Sequence, residues 1–185
     1  EGHAKVDKYS TISYKKNRYS VPDFLVGRLL DIKVFAEKID IYFNNEPACS
    51  HKRSYGAQTW TMDIGHYLTT LVRKPGALKN SLAFTQLSDD IKLVMEKYFS
   101  QDTKGFIELL RYCKDKNIDF TEVKNAIEKI KKVTPTSISK DKILAVICRE
   151  KEKEISGDTF GQYVEPDEIE KQAILNLQNL STMFN

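Results

Sequence analysis

Ser10-Thr11-Ile12-Ser13-Tyr14-Lys15-Lys16-Asn17-Arg18-Tyr19-Ser20-Val21-Pro22 is the stretch on which the fold turns. Ile12 and Tyr14 alternate with Thr11 and Ser13, the period-two pattern of a half-buried strand. Lys16-Asn17 supplies a turn, Tyr19 and Val21 continue on the return strand, and Pro22 ends it by removing an amide donor. Further along, Leu30, Ile32 and Val34 place three apolar side chains on one face of a third strand. Glu37-Lys38 turns the chain into Ile39, Ile41 and Phe43, and Asn44-Asn45-Glu46-Pro47 turns it again before a fifth strand over residues 48–52. Five short strands joined by tight turns predict a small SH3-like antiparallel β-barrel, because closure removes exposed sheet edges. Cys49 is expected to face inward, with His51 as its outward neighbour.

After Tyr55-Gly56 the strand pattern breaks into a mixed segment, with a short helix expected near His66-Tyr67-Leu68 and stopped by Pro75-Gly76. From Leu87 the period becomes helical. Ile91, Val94, Met95 and Tyr98 form one stripe after the N-cap candidate Ser88, and Phe106, Leu109, Leu110 and Cys113 form a second. Asp119 and Glu122 have capping-box spacing and open a third helix with Val123, Ala126, Ile127 and Ile130 inward. Ser139 caps a fourth, carrying Ile143, Val146 and Ile147. A helical solenoid would show the same stripes, but no self-similar period appears, so a small bundle is preferred. Residues 151–160 read as a charged, then Gly-interrupted linker. Pro166 opens a lone amphipathic segment carrying Ile169, Ile174, Leu177 and Leu180, with Met183 and Phe184 closing the chain. Such a helix is marginal alone and needs a partner surface, either the bundle or another protein. The reading is thus α+β: a β-barrel over 8–60, a connecting segment over 61–86, a helical bundle over 87–150, and a linker with amphipathic tail over 151–185.

A chain of 185 residues with 41% hydrophobic and 30% charged residues is ordinary for a soluble globular protein. No apolar run approaches the roughly 18–20 residues a bilayer span requires, so no membrane partner is expected. Glu1-Gly2-His3 suggests an expression scar or a cut inside a longer protein. Three scattered cysteines, Cys49, Cys113 and Cys148, suggest buried thiols in a reducing compartment. The net charge of +3 is unevenly spread: residues 1–80 hold thirteen Lys and Arg against eight Asp and Glu, whereas residues 151–185 hold three against seven. A basic front and an acidic back suit a polyanion at one end and a basic protein surface at the other; plain solvation is the alternative.

Reaction chemistry is hard to find. The glycines form neither a dinucleotide-binding nor a phosphate-loop motif, and no serine sits in a nucleophile elbow. Cys49-x-His51 could begin a metal site, but no second pair at ligand spacing follows and His66 lies apart, so no metal, cofactor or catalytic residue is assigned.

Residues 14–22, Val26-Gly27-Arg28, the strand pair over 30–43, Ser54-Tyr55-Gly56, His66-Tyr67 and Lys74-Pro75-Gly76-Ala77-Leu78 resemble, in order and spacing, the segment that follows the catalytic domain in IstA-type insertion-sequence transposases. These are distant relatives of the Mu transposase. The resemblance is good over residues 8–85 and loose beyond. It implies a non-catalytic C-terminal portion of a DDE transposase, whose Mg²⁺-dependent catalytic domain has no counterpart in these residues, working in a bacterial cytoplasm. It implies DNA as a partner, with other transposase protomers and a helper AAA+ ATPase. The basic residues expected to touch DNA backbone are Lys15, Lys16, Arg18, Arg28, Lys33, Lys52, Arg53, Arg73 and Lys74, supplemented by Tyr19 and Tyr55. Those expected to meet the ATPase are Ile169, Ile174, Leu177, Leu180, Met183 and Phe184. A stand-alone nucleic-acid or protein adaptor built on an SH3-like barrel, unrelated to transposition, is the rival reading.

Overall fold

The chain's structure, a computed structural model, describes residues 2–134 and 138–157, with side chains to residue 153. It divides into two compact units, Glu1–Ile147 and Cys148–Asn185. The first contains seven strands among the described residues: β1 (Gly2–Lys5), β2 (Thr11–Tyr14), β3 (Asn17–Ser20), β4 (Leu29–Val34), β5 (Lys38–Phe43), β6 (Glu46–Lys52) and β7 (Trp60–Thr61). Lys15 and Lys16 both adopt positive φ, 46° and 65°, and Tyr14 pairs with Asn17, so the first hairpin closes on these two lysines and not on Lys16-Asn17. Asn44 and Asn45 make the equivalent turn between β5 and β6 with φ of 53° and 66°. Mirror-image turns of this kind match the twist of the paired strands.

Strands β1, β4, β5 and β6 form an antiparallel sheet in that order, and β2, β3 and β7 form a second. Ile32 of β4 lies opposite Ile41 of β5, which in turn lies opposite Cys49 of β6. This register places Leu30, Ile32, Ile39 and Ile41 on one inward face. Ile12, Tyr19, Val21, Leu25 and Val6 meet them in a single core, every member at most 3% exposed. Each such side chain is worth roughly 1.5–3 kcal/mol in burial, which outweighs the left-handed turn residues. Pro47 sits at a register shift beside Tyr42, where a missing amide does least harm.

Three features of this part depart from expectation. Gly2–Lys5 is a strand paired with β4, although its residues show no alternation. β7 pairs in parallel with β3, completing the second sheet. His51 is 8% exposed and inward, because residues two apart on a strand share a face: the inward Cys49 carries His51 with it.

Six α-helices follow among the described residues: α1 (Leu68–Arg73), α2 (Leu82–Thr85), α3 (Asp89–Tyr98), α4 (Thr103–Asp115), α5 (Phe120–Val133) and α6 (Lys140–Gly157). Their stripes converge on a second core that includes Leu71, Phe84, Met95, Phe106, Leu109, Ile127, Ile143 and Ile147. The Asp119–Glu122 capping box is present, and Ser139 Oγ accepts from Lys142 N at 3.4 Å. The short α2 with its Ser81 cap is additional to the expected helices. The expected linker after Lys151 is instead helical to Gly157, since its Lys- and Glu-rich residues are good helix formers and nothing before Gly157 breaks the turn.

Candidate nucleic-acid interface

Alternation on β4 and β5 sends Asp31, Lys33, Lys38, Asp40 and Tyr42 to the outer face of the four-stranded sheet, with Lys52 of β6 directly opposite Lys38. The Lys33 ammonium lies 4.8 Å from the Tyr42 ring centroid, and Lys38 lies 5.1 Å from the Phe35 ring while pairing with Asp40 at 2.7 Å. The Arg53 guanidinium stacks on Tyr55 at 4.7 Å and donates to the Phe35 carbonyl at 3.0 Å. Tyr55 Oη donates to the Ala36 carbonyl. Arg53 and Tyr55 together brace the β4–β5 turn and present a cation on a ring at its edge. Lys8 over Tyr9 (5.1 Å) and Lys15 beside Tyr14 (5.8 Å) repeat the motif. A cation held over an exposed ring is worth roughly 0.5–1 kcal/mol, and its charge remains available to an incoming anion.

Arg18 is more committed. Its guanidinium pairs with Asp7, donates to Thr11 Oγ1 at 3.1 Å and stacks on Trp60 at 4.8 Å. Partial burial pushes the Asp7 carboxyl up, but hydrogen bonds from Thr11, Tyr9 and Arg18 outweigh it and hold the group below its ordinary range. A hollow of about 440 Å³ opens beside this stack, lined by Lys8, Tyr9, Trp60, Met62 and Tyr67 among others.

Of the nine basic residues expected at DNA, Lys15, Lys16, Arg28, Lys52, Arg73 and Lys74 are exposed and form no ion pair among the described residues. Lys15 and Lys16 occupy the β2–β3 turn, Arg28 precedes β4, and Lys33 and Lys52 share the outer sheet face. Arg73 and Lys74 stand apart from the strands, at the end of α1. Tyr19 does not belong to this surface: it is fully buried, and its hydroxyl accepts from Ser54 N at 3.0 Å. Ile169, Ile174, Leu177, Leu180, Met183 and Phe184 lie outside the described residues.

Polar contacts join the β-module to the turn before α1. Ser20 is their hub: its carbonyl accepts from His51 Nε2 at 2.6 Å, and its hydroxyl lies 2.8 Å from His66 Nδ1 and accepts from Asp63 N at 2.9 Å. Asp23 Oδ2 accepts from Thr70 N and Thr70 Oγ1, and Gln86 brackets β7 through Trp60 O and Met62 N. Burial lowers the basicity of both hub histidines, taking His66 to about 4 against partial opposition from Asp63, and pushes the Cys49 thiol up to about 12. Sequence reading missed this hub because His66 stands fifteen residues beyond His51 on another element; only the turn at Ile64–His66 returns it to the strand. Among the described residues, Cys49, His51 and His66 are the only group of three or more side chains of metal-ligating type brought together. Their soft and borderline donors do not suit Mg²⁺, which takes carboxylate and water oxygens.

The chain thus pairs a two-sheet β-module bearing a cation-and-ring exterior with helices joined to it by polar contacts. Residues 1–63 match the family described as Mu transposase, C-terminal domain. A transposase of Aminobacter aminovorans is 30% identical over 104 residues, covering 54% of this chain and 20% of its own length. The transposase for insertion sequences IS1326/IS1353 of Pseudomonas aeruginosa is 29% identical over 93 residues, covering 48% of this chain and 18% of its own, and its Shigella flexneri counterpart matches equally. The chain therefore spans about a fifth of the length of the curated relatives it matches. No solved structure gives a significant match.

Proposed function

We propose that this chain is the non-catalytic C-terminal portion of a bacterial DNA transposase, whose β-module grips DNA backbone and whose tail meets a helper AAA+ ATPase during transposition. Strand transfer and its Mg²⁺ belong, on this reading, to a DDE domain elsewhere in the parent protein. The observation that carries it is the β-module exterior: rings at Tyr9, Phe35, Tyr42, Tyr55 and Trp60 each hold a cation, and Lys15, Lys16, Arg28 and Lys52 are exposed without an ion pair among the described residues. Lysines and arginines spread over a strand surface suit phosphates, which give affinity and register without reading bases. The similarity of residues 1–63 to transposase C-terminal domains supplies the context. No helix among the described residues is long and apolar enough to cross a membrane.

Electrophoretic mobility of duplexes at low salt tests the DNA part. Two unrelated sequences should be retarded equally, and unretarded duplexes would contradict it. The ATPase part rests on the apolar stripe of residues 169–184 and the acidic charge around it. Deleting residues 160–185 should abolish capture of the helper ATPase while the circular dichroism of the remainder is retained; undiminished capture would refute it.

A further inference from the structure

The Ser20 hub gathers a thiol and two imidazoles from positions that neither fold element could supply alone. Cys49 and His51 are two residues apart on β6 and so share its inward face, and His66 ends the turn Ile64–His66 opposite them. One donor atom from each of the three lies within 4.8 Å of the other two. The His51 and His66 rings stand edge to face with centroids 5.5 Å apart. Asp63 is a nearby carboxylate: its Oδ2 lies 3.7 Å from His66 Nε2. We propose that Cys49, His51 and His66, completed by Asp63 or a water, form a Zn²⁺ site that pins strand β6 to the turn leading into α1.

The donor set is that of zinc. One thiolate, two neutral imidazoles and a carboxylate or water give a four-coordinate site of mixed sulfur, nitrogen and oxygen character. With Zn–S of about 2.3 Å and Zn–N of about 2.0 Å, tetrahedral geometry needs donors about 3.3–3.5 Å apart, so the three, now within 4.8 Å of one another, must draw in by at most about 1.5 Å. At present the donors hold the Ser20 carbonyl, His51 Nε2 at 2.6 Å and Cys49 Sγ at 3.8 Å, and metal binding exchanges such hydrogen bonds for coordination. Ser20 Oγ, 2.8 Å from His66 Nδ1, supplies the outer hydrogen bond that orients a metal-bound imidazole. Entry is from the side of Asp63, which is exposed, past the half-buried Cys49. The opposing charge is Lys114, whose Nζ donates to the Gly65 carbonyl at 2.7 Å. The Cys49 thiolate and Asp63 carboxylate offset it and the ion. Binding releases the Cys49 thiol proton to solvent, so affinity rises with pH.

Titration of the full chain with Co²⁺, a spectroscopic stand-in for Zn²⁺, tests the site. One equivalent should produce intense visible bands of tetrahedral cobalt and a near-ultraviolet thiolate-to-cobalt band, both erased by one equivalent of Zn²⁺. Cys49→Ser should lose the thiolate band, whereas Cys148→Ser should keep it. Zn²⁺ should raise the Tm of the wild type by several degrees and leave that of His66→Gln unmoved. Should His66→Gln fail to fold, alkylation of the wild type followed by mass spectrometry gives the second reading: Zn²⁺ protects Cys49. A weak octahedral cobalt spectrum, a thiolate band that survives Cys49→Ser, or Cys49 alkylation unaffected by Zn²⁺ would each overturn the proposal.

Discussion

Asn17 illustrates how much one buried polar side chain carries. It is 1% exposed, donates through Nδ2 to the carbonyls of Ser54 (3.1 Å) and Gly56 (2.7 Å), and accepts from Thr59 N at 3.0 Å through Oδ1. These bonds hold the loop after β6 against the start of β3. Replacing it leaves three part-buried backbone groups without these partners, so Asn17→Ala should cost about 1–2 kcal/mol in urea denaturation. A loss under about 0.5 kcal/mol would mean the loop finds other partners. The hub histidines give a prediction of a different sign. Burial holds His51 and His66 neutral, His66 to about 4 against an ordinary 6.5, so the unfolded chain binds more protons than the folded one in between. In metal-free protein, stability should be full above about pH 6.5 and fall as the pH drops toward 4, with no further contribution from His66 below. His66→Gln should flatten that slope in denaturation series across the window; an unchanged slope would show that other groups dominate it. Nothing local in the sequence marks His66 for this role, since its partner Ser20 lies forty-six positions away.

Helix α4 and the β2–β3 hairpin show what sequence conveys about elements. Asp102 caps α4 by accepting from Gly105 N at 2.9 Å. A Cβ on Gly105 would lie 2.0 Å from Asp102 Oδ2, so the glycine makes room for the cap. Gly105→Ala should therefore gain little in the wild type, the helix-propensity benefit being offset by the displaced carboxylate. In an Asp102→Ala background the same change should stabilise by about 1 kcal/mol. Equal effects in both backgrounds, measured by denaturation, would contradict the coupling. Apolar stripes and cap residues made α3 to α6 legible, because period and cap chemistry are local. β1 and β7 were not, because Gly2–Lys5 and Trp60–Thr61 are strands only through their partners β4 and β3. The Lys15-Lys16 turn was displaced by one residue for a related reason: lysine seldom takes positive φ, and a core anchored by Ile12 and Tyr19 imposes it. Lys15→Asn with Lys16→Gly supplies residues suited to that turn and should stabilise the chain by about 1–2 kcal/mol, read as a raised Tm.

At the scale of the molecule, two cores share one chain: strands enclose the first, helices the second, and Ser20, Asp23 and Gln86 tie them by hydrogen bonds. The α+β class was legible because the hydrophobic period changes from two to helical at Leu87. The candidate interface was legible as composition but not as geometry. Lys33 and Lys52 lie on the outer sheet face and Lys15 and Lys16 in the β2–β3 turn, while Arg18 is bound to Asp7 and Tyr19 is interior. Pairing partners and burial are set by distant residues, so no local pattern announces them. The same turn variant separates folding from function, since it removes two exposed cations while favouring the hairpin. Fluorescence anisotropy of a labelled duplex against salt concentration makes the comparison. The wild-type chain should bind with log K falling against log salt at a slope of about −3 to −4, and Lys15→Asn/Lys16→Gly should bind more weakly with a slope shallower by up to about 2. Absence of binding by the wild type at low salt, or an identical affinity and slope in the better-folded variant, would contradict a DNA-gripping β-module.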